Sequence, residues 1–180
     1  VSYTFDDSGN QTQVTDGEGA ITAFRFDGLG RNTRLIWDFG SELERTKQTH
    51  YDGLLKTQRV DEKNQITDYG YDDLHRLETI TYQGRAVDNR IYGYDDNSNL
   101  ESVTYPNDPG SPRACAQTYN ALNRVTGETS NGVTHSYQYD KANNRRVTTY
   151  GQTGLQITST YDDLNRLSTC IENGRTTTYR

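Results

Sequence analysis

Tyr71-Asp72-Asp73-Leu74-His75-Arg76-Leu77 is the segment on which the whole sequence is patterned. We number each copy of the segment from its aromatic residue, which is position zero. Self-similarity at a nearly constant period is typical of repeat proteins, so the fold has to be inferred from the repeat unit. Seven further copies follow intervals of 20 to 25 residues and begin at Phe5, Phe26, Tyr51, Tyr94, Tyr119, Tyr139 and Tyr161.

Positions zero, one and five carry most of the pattern. Position one is Asp in seven copies and Asn120 in the other, and position five is always Asn, Arg or Lys. Position four is Gly or Asn in five copies. The predicted signature residues are Phe5, Asp6, Phe26, Asp27, Arg31, Tyr51, Asp52, Tyr71, Asp72, Arg76, Tyr94, Asp95, Tyr119, Arg124, Tyr139, Asp140, Tyr161, Asp162 and Arg166.

Each copy is predicted to be a β-hairpin. In five copies a second aromatic residue lies two before position zero, as Tyr69 lies before Tyr71, and this spacing places both rings on one strand face. Asp at position one is expected to accept backbone N–H bonds, and Gly or Asn at position four tolerates a left-handed backbone. The Asp and the Arg that flank the turn are expected to pair across it, which contributes about 0.2–1 kcal/mol.

Two kinds of connection are expected between successive hairpins, and the residue at position eleven distinguishes them. An aromatic residue there predicts a strand that projects past one edge of the sheet before a longer loop. A polar residue predicts a compact turn such as Asn131-Gly132. The aromatic class contains Trp37, Tyr82, Tyr105 and Tyr150, and the polar class contains Asp16, Glu62, Ser130 and Glu172.

Composition favours a folded β-protein with little aliphatic bulk. Only 31% of residues are hydrophobic, but 14 are tyrosines, which predicts a thin core of aromatic rings. An isolated hairpin is marginal in water, so the hairpins are expected to stack in one antiparallel sheet. We therefore predict a single array of about eight repeats over residues 1–180, a fragment of a longer protein with no terminal caps. Its open edges are expected to self-associate.

The net charge of −6 and the interspersed charges predict no nucleic-acid binding, because the chain has no basic cluster. No apolar run approaches the ~20 residues of a membrane span.

The repeated Tyr-Asp-x-x-[Gly/Asn]-[Arg/Asn]-[Leu/Val] resembles the YD repeat of Rhs (rearrangement hotspot) proteins, over essentially the whole chain. That family includes bacterial Rhs effectors, the C component of insecticidal toxin complexes, and teneurins. The resemblance implies an all-β fold in which tandem hairpins form a curved, spiralling antiparallel sheet, a segment of a larger hollow β-shell. It implies a secreted or cell-surface protein and a structural role with no reaction of its own. The implied partners are flanking repeats of the same polypeptide and an enclosed C-terminal toxin peptide.

No catalytic, cofactor or metal site is predicted. Asn107-Asp108-Pro109-Gly110 is interpreted as a turn rather than the Asp-Pro-containing autoproteolytic segment of bacterial Rhs proteins, because it directly follows Tyr105-Pro106. The repeated Asp pairs are interpreted as turn caps rather than calcium ligands, since no Gly-Gly-x-Gly turns accompany them. Residues interpreted as surface histidines and unpaired thiols are His50, His75, His135, Cys115 and Cys170.

One functional alternative remains open, a carbohydrate-binding or adhesive surface. Exposed tyrosines on a sheet face can bind sugars, and such a surface would leave a patch of rings open, including Tyr82 and Tyr105. A shell wall would instead hide most position-zero rings beneath neighbouring hairpins.

Overall fold

The computed structural model describes residues 1–179, in which 17 β-strands and one short 3-10 helix (Ala86–Asp88) are formed. The chain divides into two compact units, Val1–Asn89 and a second that begins at Arg90. In each unit every strand pairs antiparallel with its neighbour in sequence, as expected for stacked hairpins.

The first unit contains eight strands within its described residues. They are β1 (Ser2–Phe5), β2 (Gln11–Thr15), β3 (Ile21–Phe26), β4 (Asn32–Trp37), β5 (Arg45–Asp52), β6 (Leu55–Val60), β7 (Ile66–Tyr71) and β8 (Leu77–Tyr82).

The second unit contains nine strands up to residue 179. They are β9 (Arg90–Tyr94), β10 (Leu100–Thr104), β11 (Cys115–Tyr119), β12 (Val125–Ser130), β13 (Val133–Tyr139), β14 (Arg145–Thr149), β15 (Gln156–Tyr161), β16 (Leu167–Glu172) and β17 (Arg175–Thr178). Both units are built of antiparallel β-hairpins, which confirms the predicted all-β hairpin fold.

All eight predicted hairpins are present, and seven share one turn. In the Tyr71 repeat, the Asp72 N–H donates to the Arg76 carbonyl over 3.0 Å, and the His75 N–H donates to the Asp72 carbonyl over 2.9 Å. Position four then adopts a left-handed backbone, the arrangement that follows a type I turn in many hairpins. This conformation occurs at Gly9, Gly30, His75, Ser98, Asn123, Asn143 and Asn165.

The Tyr51 repeat differs from the other seven. Asp52 pairs directly with Leu55, so only Gly53 and Leu54 form the loop, and Gly53 has a φ of 52°. The prediction that Asp52 caps a turn of the common type is therefore wrong. Leu55 occupies position four, where a bulky side chain disfavours the left-handed backbone that the longer turn needs.

The opposite edge of the sheet carries the compact turns that were predicted. Asn131-Gly132 and Asn173-Gly174 each have two successive positive φ angles, as in a type I′ hairpin turn. Asp16 begins a turn in which its carboxylate accepts the N–H groups of Glu18 and Ala20, each over 2.9 Å. Turns capped by an Asp carboxylate therefore occur at both edges of the sheet.

The predicted projection of the aromatic-class strands is wrong. Those strands have six, six, five and five residues, whereas the polar class has five, six, six and six. The additional residues form the loops instead, although single bonds continue beyond position eleven from the Phe39 and Gln83 N–H groups to the Ile21 and Ile66 carbonyls.

The prediction of an aromatic core is also wrong in part. Four of the five buried hydrophobic residues among those described are Ala23, Ile36, Ile80 and Val147, and Tyr105 is the fifth. Seven position-zero rings are half-buried, and Phe5 is 60% exposed. Three of the four aliphatic residues, Ala23, Ile36 and Val147, lie on the sheet face opposite the position-zero rings, so the rings do not cover them.

Candidate functional site

The row of YD turns along one sheet edge is the candidate functional site. In the Tyr71 repeat, Asp72 Oδ1 accepts the N–H groups of Leu74 (3.0 Å) and Arg76 (2.9 Å), and Oδ2 accepts the Arg76 Nε–H over 2.7 Å. This confirms the predicted Asx-type cap. The same pair of backbone bonds is made by Asp6, Asp27, Asp95, Asn120, Asp140 and Asp162.

These bonds hold the carboxylates ionised. At Asp27 the Arg31 side chain, and at Asp162 first the backbone N–H of Arg166, lower the pKa of the carboxyl below its usual 3.8. At Asp72 partial burial opposes the effect, but the bonds from Arg76 and Leu74 outweigh it and the pKa is again lowered. The pKa values of Asp6, Asp61 and Asp140 are lowered by hydrogen bonds of the same kind.

Position five links several of the turns to the turn of the next repeat. Asn99 Nδ2 donates to Asn123 Oδ1 over 2.9 Å, and Asn144 Nδ2 donates to Asn165 Oδ1 over 3.0 Å. In both cases the acceptor is the position-four side chain of the following copy. The Asn at position four therefore adopts the left-handed backbone of its own turn and also accepts a hydrogen bond from the preceding repeat.

Arginine at position five makes the same link with a longer reach. Arg124 Nη1 donates to the Asp140 carbonyl and to Asn143 Oδ1, both over 3.2 Å. Its guanidinium carbon lies 4.6 Å from the centre of the Tyr139 ring. Arg31 is placed likewise, 4.1 Å from the Tyr51 ring centre, which is a favourable cation–π geometry.

The position-zero hydroxyl forms a second link, directed back to the preceding repeat. Tyr119, Tyr139 and Tyr161 donate to the carbonyls of Leu100, Val125 and Arg145 over 2.7, 2.8 and 2.9 Å. Each acceptor is position six of the preceding copy. Burial raises the pKa of the Tyr119 hydroxyl, which keeps it protonated as a donor.

The bonds predicted within one repeat are present, as between Asp72 and Arg76, and the structure adds bonds between repeats that were not predicted. The structure brings together position five of one copy with positions zero, one and four of the next. The signal in the sequence was the co-occurrence of Asn or Arg at position five with Asn at position four of the following copy, as in Asn144 and Asn165.

The other sequence candidates lie apart from this row. The segment after Tyr105 forms three successive turns, closed by N–H bonds from Asp108, Ser111 and Ala114 to carbonyls three residues earlier. His135 packs edge-on against Tyr150, with ring centres 5.3 Å apart. Cys115 and Cys170 are free and half-buried.

Residues 1–179 contain neither a cluster of metal-ligating side chains nor a membrane-spanning helix. The chain brings no three His, Cys, Asp or Glu side chains together as metal ligands within that range. Nor does this range contain a helix with the length and apolarity to cross a membrane.

Many of the exposed large apolar groups lie at the turn tips, and on the aromatic rows Tyr3 and Phe5 of β1 are 56% and 60% exposed. Tyr82 is half-buried and Tyr105 is 8% exposed, so these rings do not form the open patch that sugar binding requires. Position three instead carries leucines that are 66–84% exposed, namely Leu29, Leu54, Leu74, Leu122 and Leu164.

Comparison with solved structures identifies the fold. The crystal structure of TcdB2-TccC3-Cdc42 matches with a TM-score of 0.73 and 20% identity, over 92% of this chain and 10% of that chain. A Tc holotoxin pore of Photorhabdus luminescens, with a mutated TccC3, matches with a TM-score of 0.73 and 18% identity, over 96% of this chain and 10% of that chain. No protein-family model matches, and no curated protein matches in sequence.

This chain therefore spans about a tenth of the length of the chains it matches. The shell of the TcdB2-TccC3 complex is built of Rhs repeats. The resemblance to YD repeats is thus confirmed at the level of the fold.

Proposed function

We propose that this chain is a section of the wall of an Rhs-type hollow β-shell, that the shell encloses a polypeptide, and that this section has no reaction of its own. The observation that carries the proposal is the pair of links at the junctions that follow the Tyr94, Tyr119 and Tyr139 repeats. Position-zero hydroxyls bond backward and position-five side chains bond forward, so polar groups that a binding site would direct outward are used between repeats. Flanking repeats of the same polypeptide are the direct partners.

The similarity to Tc toxin complexes supports the same role. Since those complexes are toxins, we infer that the enclosed chain is a toxin segment and that the protein acts outside the cell that makes it. Repetition of these links along a sheet gives a continuous barrier with no unpaired strand inside it.

The experiment is protease protection in the complete polypeptide that carries these residues. We expect a segment outside residues 1–180 to resist a nonspecific protease. Tyr139→Ala removes a ring and its bond to the Val125 carbonyl, which should open the wall and expose that segment. Leu122→Ala, at an exposed turn tip, is the matched control and should leave protection unchanged. Ready cleavage of that segment in the unmutated protein would contradict enclosure.

A further inference from the structure

Two arginines face each other across the second hairpin of the chain. Arg25 on β3 pairs directly with Arg34 on β4, so both side chains leave the same face of the sheet. Both arginines are exposed. Like charges in directly opposite positions repel each other, so this pair costs stability unless a group of opposite charge lies between the two guanidinium groups.

The other seven hairpins of the described chain carry no such pair. In each of them the residue before position zero also pairs with a residue on the second strand, but neither member is Arg, Lys, Asp or Glu. These pairs are Thr4 with Gln13, His50 with Gln58, Gly70 with Thr79, Gly93 with Ser102, Thr118 with Gly127, Gln138 with Val147, and Thr160 with Thr169. The two arginines are therefore not needed to build a hairpin of this type.

Gln48 and His50 on β5 extend the surface that the two arginines begin. Gln48 pairs with Arg34, and His50 lies two residues further along the same face of the strand. Arg25, Arg34, Gln48 and His50 all line one open recess of about 520 Å³, and we call these four residues the arginine patch. Three separate strands supply them, so no run of basic residues in the sequence marks the patch.

The carboxylate beside the arginine patch is already engaged. Asp27 is the one acidic residue that lines the recess, and its Oδ2 accepts the Arg31 Nε and Nη2 groups over 2.8 and 2.7 Å. Its Oδ1 accepts the backbone N–H groups of Leu29 and Arg31. In the loop after β4, Asp38 pairs with Arg45 over 3.1 Å. The positive charge of the patch therefore has no ion-pair partner within residues 1–179.

Most hydrogen-bond donors of the arginine patch are also unused. Arg25 Nη1 donates to the Phe24 carbonyl over 3.0 Å, and the Arg25 guanidinium carbon lies 5.3 Å from the centre of the Phe39 ring. The other three side chains of the patch form no hydrogen bond or ion pair with the described part of the chain. A guanidinium carries five N–H donors, a glutamine amide two, and an imidazole at least one in either tautomer. The recess is therefore lined by positive charge and by free donors together.

We propose that the arginine patch binds a small oxyanion with two negative charges, of the sulfate or phosphate class. The planar guanidinium presents parallel N–H groups that bind such an ion through two oxygens. An ion held between Arg25 and Arg34 removes their repulsion, while Gln48 and His50 donate to its remaining oxygens. Nucleic acids are bound through several phosphate contacts, whereas this recess has the charge for one ion. The proposal is independent of the proposed shell function.

The experiment titrates the 180-residue chain with inorganic sulfate, at fixed pH and at an ionic strength held constant with chloride. The imidazole NMR signals of the three histidines report where sulfate binds, because His50 lines the recess and His75 and His135 do not. We expect the His50 signals to shift along a saturable curve while those of the other two histidines stay in place. The absence of a saturable shift at His50 would overturn the proposal.

Arg34→Gln should raise the dissociation constant for sulfate at least about tenfold, because it removes a charged donor. In sulfate-free buffer this variant should unfold at the temperature of the unmutated chain or above it, since the repulsion with Arg25 is gone. Arg25→Gln should behave in the same way. Arg146→Gln removes an exposed arginine from β14 and is the matched control, which should leave the dissociation constant unchanged. An unchanged constant in Arg34→Gln, or an equal increase in Arg146→Gln, would overturn the assignment of the site.

Discussion

At the scale of single residues, the carboxylate of position one does more for the turn than the ion pair that accompanies it. Asn120 keeps both backbone bonds without any charge. Asp72→Asn should therefore lower Tm only slightly, whereas Asp72→Ala, which removes the acceptor, should lower Tm by about 2–4 °C. Thermal unfolding followed by circular dichroism measures both.

Asp52→Ala is the matched control, because the Asp52 carboxylate caps no turn in the described chain. It should change Tm by less than Asp72→Ala does. If Asp52→Ala lowered Tm as much as Asp72→Ala does, the capping bonds would not be the source of the stability.

Position four gives a prediction with opposite signs in two repeats. His75 has a φ of 61°, which is unfavourable for a residue with a Cβ, so His75→Gly should stabilise the protein by up to about 1 kcal/mol. Leu55 occupies the same position within strand β6, so Leu55→Gly should destabilise by more than about 0.5 kcal/mol. Urea unfolding measures the change in the free energy of unfolding for each variant. Changes of the same sign would refute the different backbone conformations assigned to His75 and Leu55.

The residues where prediction from sequence failed show what a local pattern lacks. The Asp caps were predictable because the bonds they form span four residues. The left-handed backbone at His75 and Ser98 was not, since neither residue type favours it and the closure of the hairpin imposes it. The bond from Asn144 to Asn165 depends on strand register over 21 residues, which one repeat does not encode.

At the scale of the hairpin, the position-zero hydroxyl is the element that joins one repeat to the one before. Tyr139→Phe removes the bond to the Val125 carbonyl but keeps the ring, so we expect a loss of about 0.5–1.5 kcal/mol. Tyr51→Phe is the control, because the Tyr51 hydroxyl donates no such bond to a preceding carbonyl in the described residues. Chemical denaturation should separate the two variants, and equal losses would count against the backward link.

The native sequence supplies a precedent, since Phe5 and Phe26 already occupy position zero without a hydroxyl. Hairpin existence and the shared face of the rings were both predictable from the alternation of residues. The lengths of the strands were not, because an aromatic residue at position eleven is equally compatible with a strand that continues and with a loop that begins, and only the neighbouring backbone decides.

At the scale of the whole molecule, six carboxyl groups with lowered pKa values make the free energy of unfolding depend on pH. Protonation is harder in the folded state than in the unfolded state, so the unfolded state binds more protons as pH falls through this range. Stability is therefore fully present well above pH 3.8 and is lost as pH falls through the folded pKa values. We expect Tm to be level between about pH 7 and 5 and to fall below about pH 4. A Tm that rises on acidification would contradict this account.

The outermost strands give a prediction about association. β1 and β17 are exposed over all four of their residues, and unpaired strand edges recruit other strands. The 180-residue chain should form larger species as its concentration rises, measured by light scattering after size-exclusion chromatography. Thr177→Lys places a charge on β17 and should reduce the association, while Leu122→Lys, at a turn tip, should not. A chain that stays monomeric at high concentration would oppose the prediction.

The short Tyr51 turn shows how the array accommodates a missing residue. In the next repeat the Tyr71 hydroxyl bonds to the Lys56 carbonyl over 2.9 Å. Lys56 is position five by sequence count, but it pairs with Tyr51 as position six pairs with position zero in the other copies. The missing residue is therefore absorbed within its own hairpin loop, and the link to the following repeat keeps its geometry. A gene encoding such a wall can gain or lose single codons at its loops without disturbing the strands beyond, and drift of this kind is a natural source of the uneven repeat lengths along this chain.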